Sequence, residues 1–260
     1  MNPKFLSGCA RVLLLLLPFN AALAQSLARA EQDLVKHLEK IESLSEQQES
    51  EPHPDLSDSI EQENKLFGNS FQKLTAEMPN SITYKFNRLV NNGLTIATSP
   101  DGLFRVYSWD AETGGTAHFF NKVYQYKVGN KVYSKLVSYD DDFELGWFSA
   151  IYMLTVNGKK YYLGISHSKV ATLQSYEEIH AFRLEGKHLN DSVRIIKTQS
   201  GLTGSLGFDF VMDQAWSGED EIHYNNSTKT IRFPVVLEGG HITKRRITYK
   251  FNGRYFVKVQ

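Results

Sequence analysis

"YMLTVNGKKYYLGIS", Tyr152 to Ser166, decides the fold. Two runs rich in aromatic and β-branched residues flank Asn157-Gly158, a pair that tolerates the positive φ a tight hairpin turn needs. "ITYKFNGRYFVKV", Ile247 to Val259, repeats the construction around Asn252-Gly253. Further turn signals stand at Asn92-Gly93, Asp101-Gly102, Gly129-Asn130 and Gly239-Gly240. Consecutive hairpins make an antiparallel meander. The expected fold is therefore mainly β, a β-sandwich or open barrel of about a dozen strands, preceded by one or two N-terminal helices.

A propeller-like arrangement is the alternative. Gly93 to Tyr139, Phe148 to Lys197 and Leu202 to Val259 are each about fifty residues long and carry several strands, the period of a four-stranded blade. Three blades fall short of the four to eight that normally close a ring.

The first 24 residues read as a secretory signal. Lys4 and Arg11 precede or open an apolar run from Val12 to Leu17, Pro18 breaks it, and Ala22-Leu23-Ala24 offers an A-x-A cleavage site. The run is too short for a bilayer, which needs about 20 residues, so no transmembrane segment is expected in the mature chain. Leu6-Ser7-Gly8-Cys9 spells a bacterial lipoprotein box but stands before the apolar run instead of after it, so lipidation is not expected. The predicted destination is the periplasm or the medium.

Cys9 is the only cysteine and leaves with the signal. The mature chain then has no disulfide, thiolate nucleophile or thiolate metal site, and its stability must come from core packing. Basic and acidic residues balance at 29 each, and the signal holds two of the bases and no acid, leaving a formal charge of −2. Such a balance does not suggest a nucleic-acid partner. Charge is nevertheless segregated. Glu31 to Glu63 holds eleven acids and two lysines, and Lys229 to Lys258 holds eight bases and one acid.

Leu27, Leu34, Leu38, Ile41 and Leu44 recur at helical spacing, which predicts a first helix over Ser26 to Leu44. Glu46 to Ser57, with Pro52 and Pro54 among acids, reads as a linker, so residues 25–57 form an acidic helical arm. Asp58 and Glu61 fit a capping box that opens a second helix, over residues 58–80, whose Ile60, Phe67, Phe71, Leu74 and Met78 share one face. That face must be buried, on the β domain of residues 81–260 or through self-association of the N-terminal helices.

The stretch most suggestive of function is "SPDGLFRVYSWDAETGGTAH", Ser99 to His118. Alternation from Leu103 to Trp109 directs Phe104 and Val106 to the core and leaves Arg105, Tyr107 and Trp109 as a stripe. After a glycine loop, His118 shares a face with Phe120, Lys122, Tyr124 and Tyr126. If the strands pair, the two stripes lie side by side and make a surface able to stack a sugar or clamp a peptide. The expected ligand-binding residues are Arg105, Tyr107, Trp109, His118 and Tyr124.

Catalytic signatures are missing. Gly114-Gly115 lacks a phosphate-binding pattern and a following helix. The eight histidines show no metal-ligand spacing, Asp140-Asp141-Asp142 lacks the calcium-loop order, and no cofactor or metal is expected. In "GISHS", Ser166 and Ser168 flank His167, but strand neighbours point to opposite faces, so neither serine is expected to meet the ring. Asp110, Glu112, Glu177, Glu178, Asp209 and Asp213 are carboxylates of the right type for glycosidase work, and sequence does not pair them. The leading expectation is an exported, non-enzymatic binding or interaction module with a protein or carbohydrate partner. The alternatives are a periplasmic hydrolase of carbohydrate or peptidoglycan using carboxylates near Asp110 and aromatic stacking from Tyr107 and Trp109, and a structural assembly subunit.

Overall fold

A computed structural model describes residues 7–50, 55–139, 146–212 and 221–259, with side chains from residue 25 onward. The helices are α1 (Ser7–Ser50), α2 (Ser57–Glu77) and the short α3 (Asn87–Val90), with a 3-10 turn at Pro79–Thr83. Mainly antiparallel strands follow. They are β1 (Thr95–Thr98), β2 (Phe104–Asp110), β3 (Phe120–Val128), β4 (Lys131–Val137), β5 (Trp147–Val156), β6 (Lys159–Ala171), β7 (Gln174–Glu185) and β8 (His188–Asn190). The remainder are β9 (Ile196–Lys197), β10 (Leu202–Thr203), β11 (Ser205–Val211), β12 (His223–Asn225), β13 (Thr230–Val236), β14 (Ile242–Phe251) and β15 (Phe256–Lys258). No helix among the described residues is long and apolar enough to cross a membrane.

Three sheets result, ordered β1-β2-β3-β4, then β11-β7-β6-β5 with β8 on β7, then β10-β9-β15-β14-β13-β12. Among the described residues all pairs are antiparallel except β15 with β9. The first fifty-residue unit closes on itself as the first sheet. Strands β9 and β11 instead exchange between the second and third sheets, so the units are not independent propeller blades.

Alternation along each strand feeds two cores, which stacks the chain in layers. Leu34, Leu38, Phe67 and Phe71 of the helices pack on Tyr107, Trp109 and Val123 of the first sheet. Phe104, Val106 and Tyr124, from that sheet's other face, meet Phe148, Tyr162 and Phe182 of the second. Leu163, Ile165, Ile179 and Ala181 then face Ile231, Phe233 and Phe256 of the third.

Three N-terminal details differ from the sequence reading. The helix predicted over Ser26 to Leu44 extends from Ser7 to Ser50, through part of the predicted linker, and residues 51–54, with Pro52 and Pro54, lie outside the described residues. Asp58 sits inside the first turn of α2 and does not cap it, because α2 starts at Ser57 with Leu56 as its N-cap. Residues 81–94, read as the start of the β domain, form the 3-10 turn and α3.

α3 is too short to persist alone, and the side chain before it supplies no cap. Glu31 of α1 does so from a distance. Its buried carboxylate accepts Arg88 N–H at 2.8 Å, Leu89 N–H at 3.2 Å and Tyr84 O–H at 2.9 Å. Replacing Glu31 with Ala strands these donors and should cost about 2 kcal/mol. Amide exchange at Arg88 and Leu89 should quicken in that variant; unchanged protection would show that Glu31 does not hold α3.

Candidate functional site

The five residues expected to bind a ligand do not form one surface. Register decides this: Tyr107 lies opposite Val123, and Val106 lies opposite Tyr124, so the Arg-Tyr-Trp stripe and the His-Tyr stripe occupy opposite faces of the first sheet. Neither strand face is open. Phe67 meets Trp109 edge-on at 4.8 Å between ring centroids, and Phe71 meets Tyr107 at 4.9 Å. The expected exposed stripe is thus corrected to an interior one, because the apolar face of α2 covers it.

Each buried group has structural partners instead. Arg105 Nη1 donates to the carbonyls of Ser81, Ile82 and Tyr84, tying down the 3-10 turn. Tyr107 O–H donates to Gln125 Oε1 at 2.7 Å, and Trp109 Nε1 donates to Asn64 Oδ1 at 3.0 Å. Tyr124 is buried between the first and second sheets. The stacking that the hydrolase alternative asked of Tyr107 and Trp109 is lost with their exposure.

His118 alone of the five stays partly exposed. Its Nδ1 bonds Asp110, and its Nε2 lies 3.1 Å from Lys169 Nζ. Asp110 also accepts Glu112 N–H at 3.0 Å, in a loop where Glu112 holds a left-handed φ of 54°. Burial, and then the Asp110 charge, raises the Glu112 carboxyl above its ordinary range. Asp110, Glu112 and Glu42 line a cleft of about 160 Å³ under α1. Its position beside the arm suits a structural contact, since Ser45 Oγ donates to Glu112 at 3.3 Å.

A larger groove of about 500 Å³ opens where hairpin tips converge. Gly129, Gly158 and Gly186 make the turns β3–β4, β5–β6 and β7–β8, all at positive φ, and all three line it. Lys127, Lys159, Lys160 and Arg183 bring four cations to the same wall. Lys159 and Lys160 are exposed, whereas Lys127 and Arg183 are half-buried.

Two carboxylates partly compensate them. Lys160 Nζ bonds Asp101 Oδ2 at 2.9 Å, and Tyr162 O–H donates to the same oxygen at 3.2 Å. Burial pushes the Asp101 carboxyl up, but bonds from Lys160, Ser99 and Leu103 N–H outweigh it and hold the group below the usual carboxylate range. Arg183 pairs with Glu185 and lies 5.6 Å over the Tyr161 ring. Lys127 and Lys159 make no ion pair within 4 Å among the described residues, although the Lys159 charge helps to lower the Glu185 carboxyl.

These residues were not singled out by the sequence reading, although a signal existed. "NGKK", Asn157 to Lys160, sets two groove lysines directly after a turn glycine, whereas Lys127 and Arg183 stand within strands. Only the fold shows that the three turns share one end of the sandwich. No known protein family, curated protein or solved structure matches this chain.

Proposed function

We propose that this chain is an exported binding module of the cell envelope, and that its ligand is an anionic carbohydrate held in the groove of Lys127, Lys159, Lys160 and Arg183. The observation that carries the reading is the convergence of four cations on one open cavity of about 500 Å³. That volume falls in the range of roughly 300–1,000 Å³ typical of small-ligand sites. Lys127 and Lys159 supply point charge that gathers an anion from solution, and Arg183, held by Glu185 and Tyr161, adds its charge to the same field. The secretory pattern of residues 1–24 supports the compartment.

Calorimetric titration with an oligogalacturonate, against a neutral glucan of equal length, tests this reading. The acidic oligosaccharide should bind and the neutral one should not, and affinity should fall as salt screens the exposed lysines. The Lys127→Glu/Lys159→Glu double variant should bind roughly tenfold more weakly, a change of about 1.4 kcal/mol. Equal binding of both sugars, or an affinity indifferent to the two substitutions, would remove the groove as the site.

A further inference from the structure

We infer that Ser149, His167 and Glu177 form an acyl-transfer centre for carboxylic esters, separate from the basic groove. Three strands bring the residues together. His167 of β6 lies opposite Trp147 on β5 and opposite Glu177 on β7. The β5–β6 register shifts between Phe148 and Ala150, which leaves Ser149 as the bulged residue. A bulge re-aims its side chain, and this one brings Ser149 Oγ to 3.0 Å from His167 Nε2. The carbonyl of Ile165 is the more distant acceptor for the same hydroxyl, at 3.4 Å.

The third member faces the other ring nitrogen, at ion-pair and not hydrogen-bond distance. His167 Nδ1 is 3.8 Å from Glu177 Oε2. Glu177 is fully buried and is held by Glu221 N–H at 3.0 Å and Ile222 N–H at 2.6 Å. Trp147 stacks on the imidazole, 5.2 Å between centroids and 26° between planes, which fixes the ring orientation. Burial grades across the set as nucleophilic chemistry requires, with Ser149 exposed, His167 at 5% and Glu177 at 0%. The order Ser Oγ, His Nε2, His Nδ1, carboxylate is the one by which a neutral imidazole takes a serine proton while a carboxylate steadies the resulting cation.

The reaction consumes only the ester and one water. Ser149 Oγ forms a bond to the ester carbonyl carbon as its proton passes to His167 Nε2. The C–O bond to the alcohol then breaks and the alcohol leaves with that proton. Water, deprotonated by the same nitrogen, releases the acid and restores Ser149. Glu177 touches neither substrate nor reacting atoms and acts as a positioning residue. The groove and this centre lie towards opposite ends of β6, with six residues between Lys160 and His167, roughly 20 Å at strand rise, so either can fail alone.

Labelling of the full chain with a fluorophosphonate, together with hydrolysis of p-nitrophenyl acetate, tests the centre. The adduct should map to Ser149 by mass spectrometry. Ser149→Ala and His167→Ala should each lower hydrolysis roughly a hundredfold or more, while Ser192→Ala, on an exposed loop, should not. Glu177→Gln should slow labelling about tenfold, with part of the rate recovered in Glu177→Asp. Because Ser149 is exposed, Ser149→Ala should keep the parent melting temperature and decides the matter even if Glu177→Gln unfolds. An adduct absent from Ser149, or hydrolysis that persists in Ser149→Ala, overturns the inference.

Discussion

Phe71→Ala should lower the unfolding free energy by about 3–5 kcal/mol, the usual cost of emptying a large aromatic site in a packed core. Phe71 is fully buried and stands where three elements meet. Its ring stacks on Phe67 at 5.5 Å and meets Tyr107 and Phe86 edge-on at 4.9 and 5.3 Å. Truncation removes those contacts together, and the neighbouring rings belong to different elements that cannot all close on the gap. Urea unfolding measures the loss. Lys73→Ala, on the exposed side of the same helix, should stay within about 0.5 kcal/mol of the parent. A Phe71→Ala loss below 1 kcal/mol would mean that α2 is not an integral layer of the fold.

Asn64→Leu should cost about 3 kcal/mol despite keeping the branching and the number of non-hydrogen side-chain atoms and adding apolar surface. The Asn64 amide is fully used. Its Nδ2 donates to Ile60 O at 2.9 Å and Ala111 O at 2.8 Å, and its Oδ1 accepts Trp109 Nε1 and Asn121 Nδ2, both at 3.0 Å. Leucine leaves the indole N–H, an asparagine N–H and the Ala111 carbonyl short of a partner in a buried setting. Each orphan costs about 1–3 kcal/mol, and relaxation of the loop at Ala111 recovers part of the sum. Chemical unfolding provides the value, and fluorescence of a variant whose other two tryptophans are replaced by Phe reports the environment of Trp109. Stability within 1 kcal/mol of the parent would show that water replaces Asn64 at little cost.

These two positions mark where sequence reasoning succeeds and where it stops. The face of α2 carrying Ile60, Phe67 and Phe71 is legible because helical periodicity is local. Asn64 on the same helix looks like a solvated polar residue until Trp109, 45 residues away, is placed against it. The aromatic residues of β2 show the same divide. Alternation correctly separates Phe104 and Val106 from Arg105, Tyr107 and Trp109. It does not tell which face meets solvent, and here neither does, because a helix layer and a second sheet sandwich the strand.

The candidate sites were less legible than the fold. Ser166 and Ser168 are the serines nearest His167 in sequence, but Ser149, 18 residues away and on a paired strand, reaches the ring. Strand pairing and a one-residue bulge produce that contact, and neither leaves a mark in composition. The basic groove likewise draws on three hairpins whose tips meet only when the sheets stack.

The sequence by itself determined the elements. Asn-Gly and related turn pairs specify hairpins through backbone sterics, two-residue alternation specifies two-sided strands, and the 3.6-residue period specifies the N-terminal helices. Each of these is a property of neighbouring residues. Tertiary structure decided what covers what: that α2 buries Tyr107 and Trp109, that Glu31 caps α3, and that Ser149 and Glu177 flank His167. Those outcomes depend on long-range register and layer order, set by the summed burial of residues far apart in the chain, which no local pattern contains.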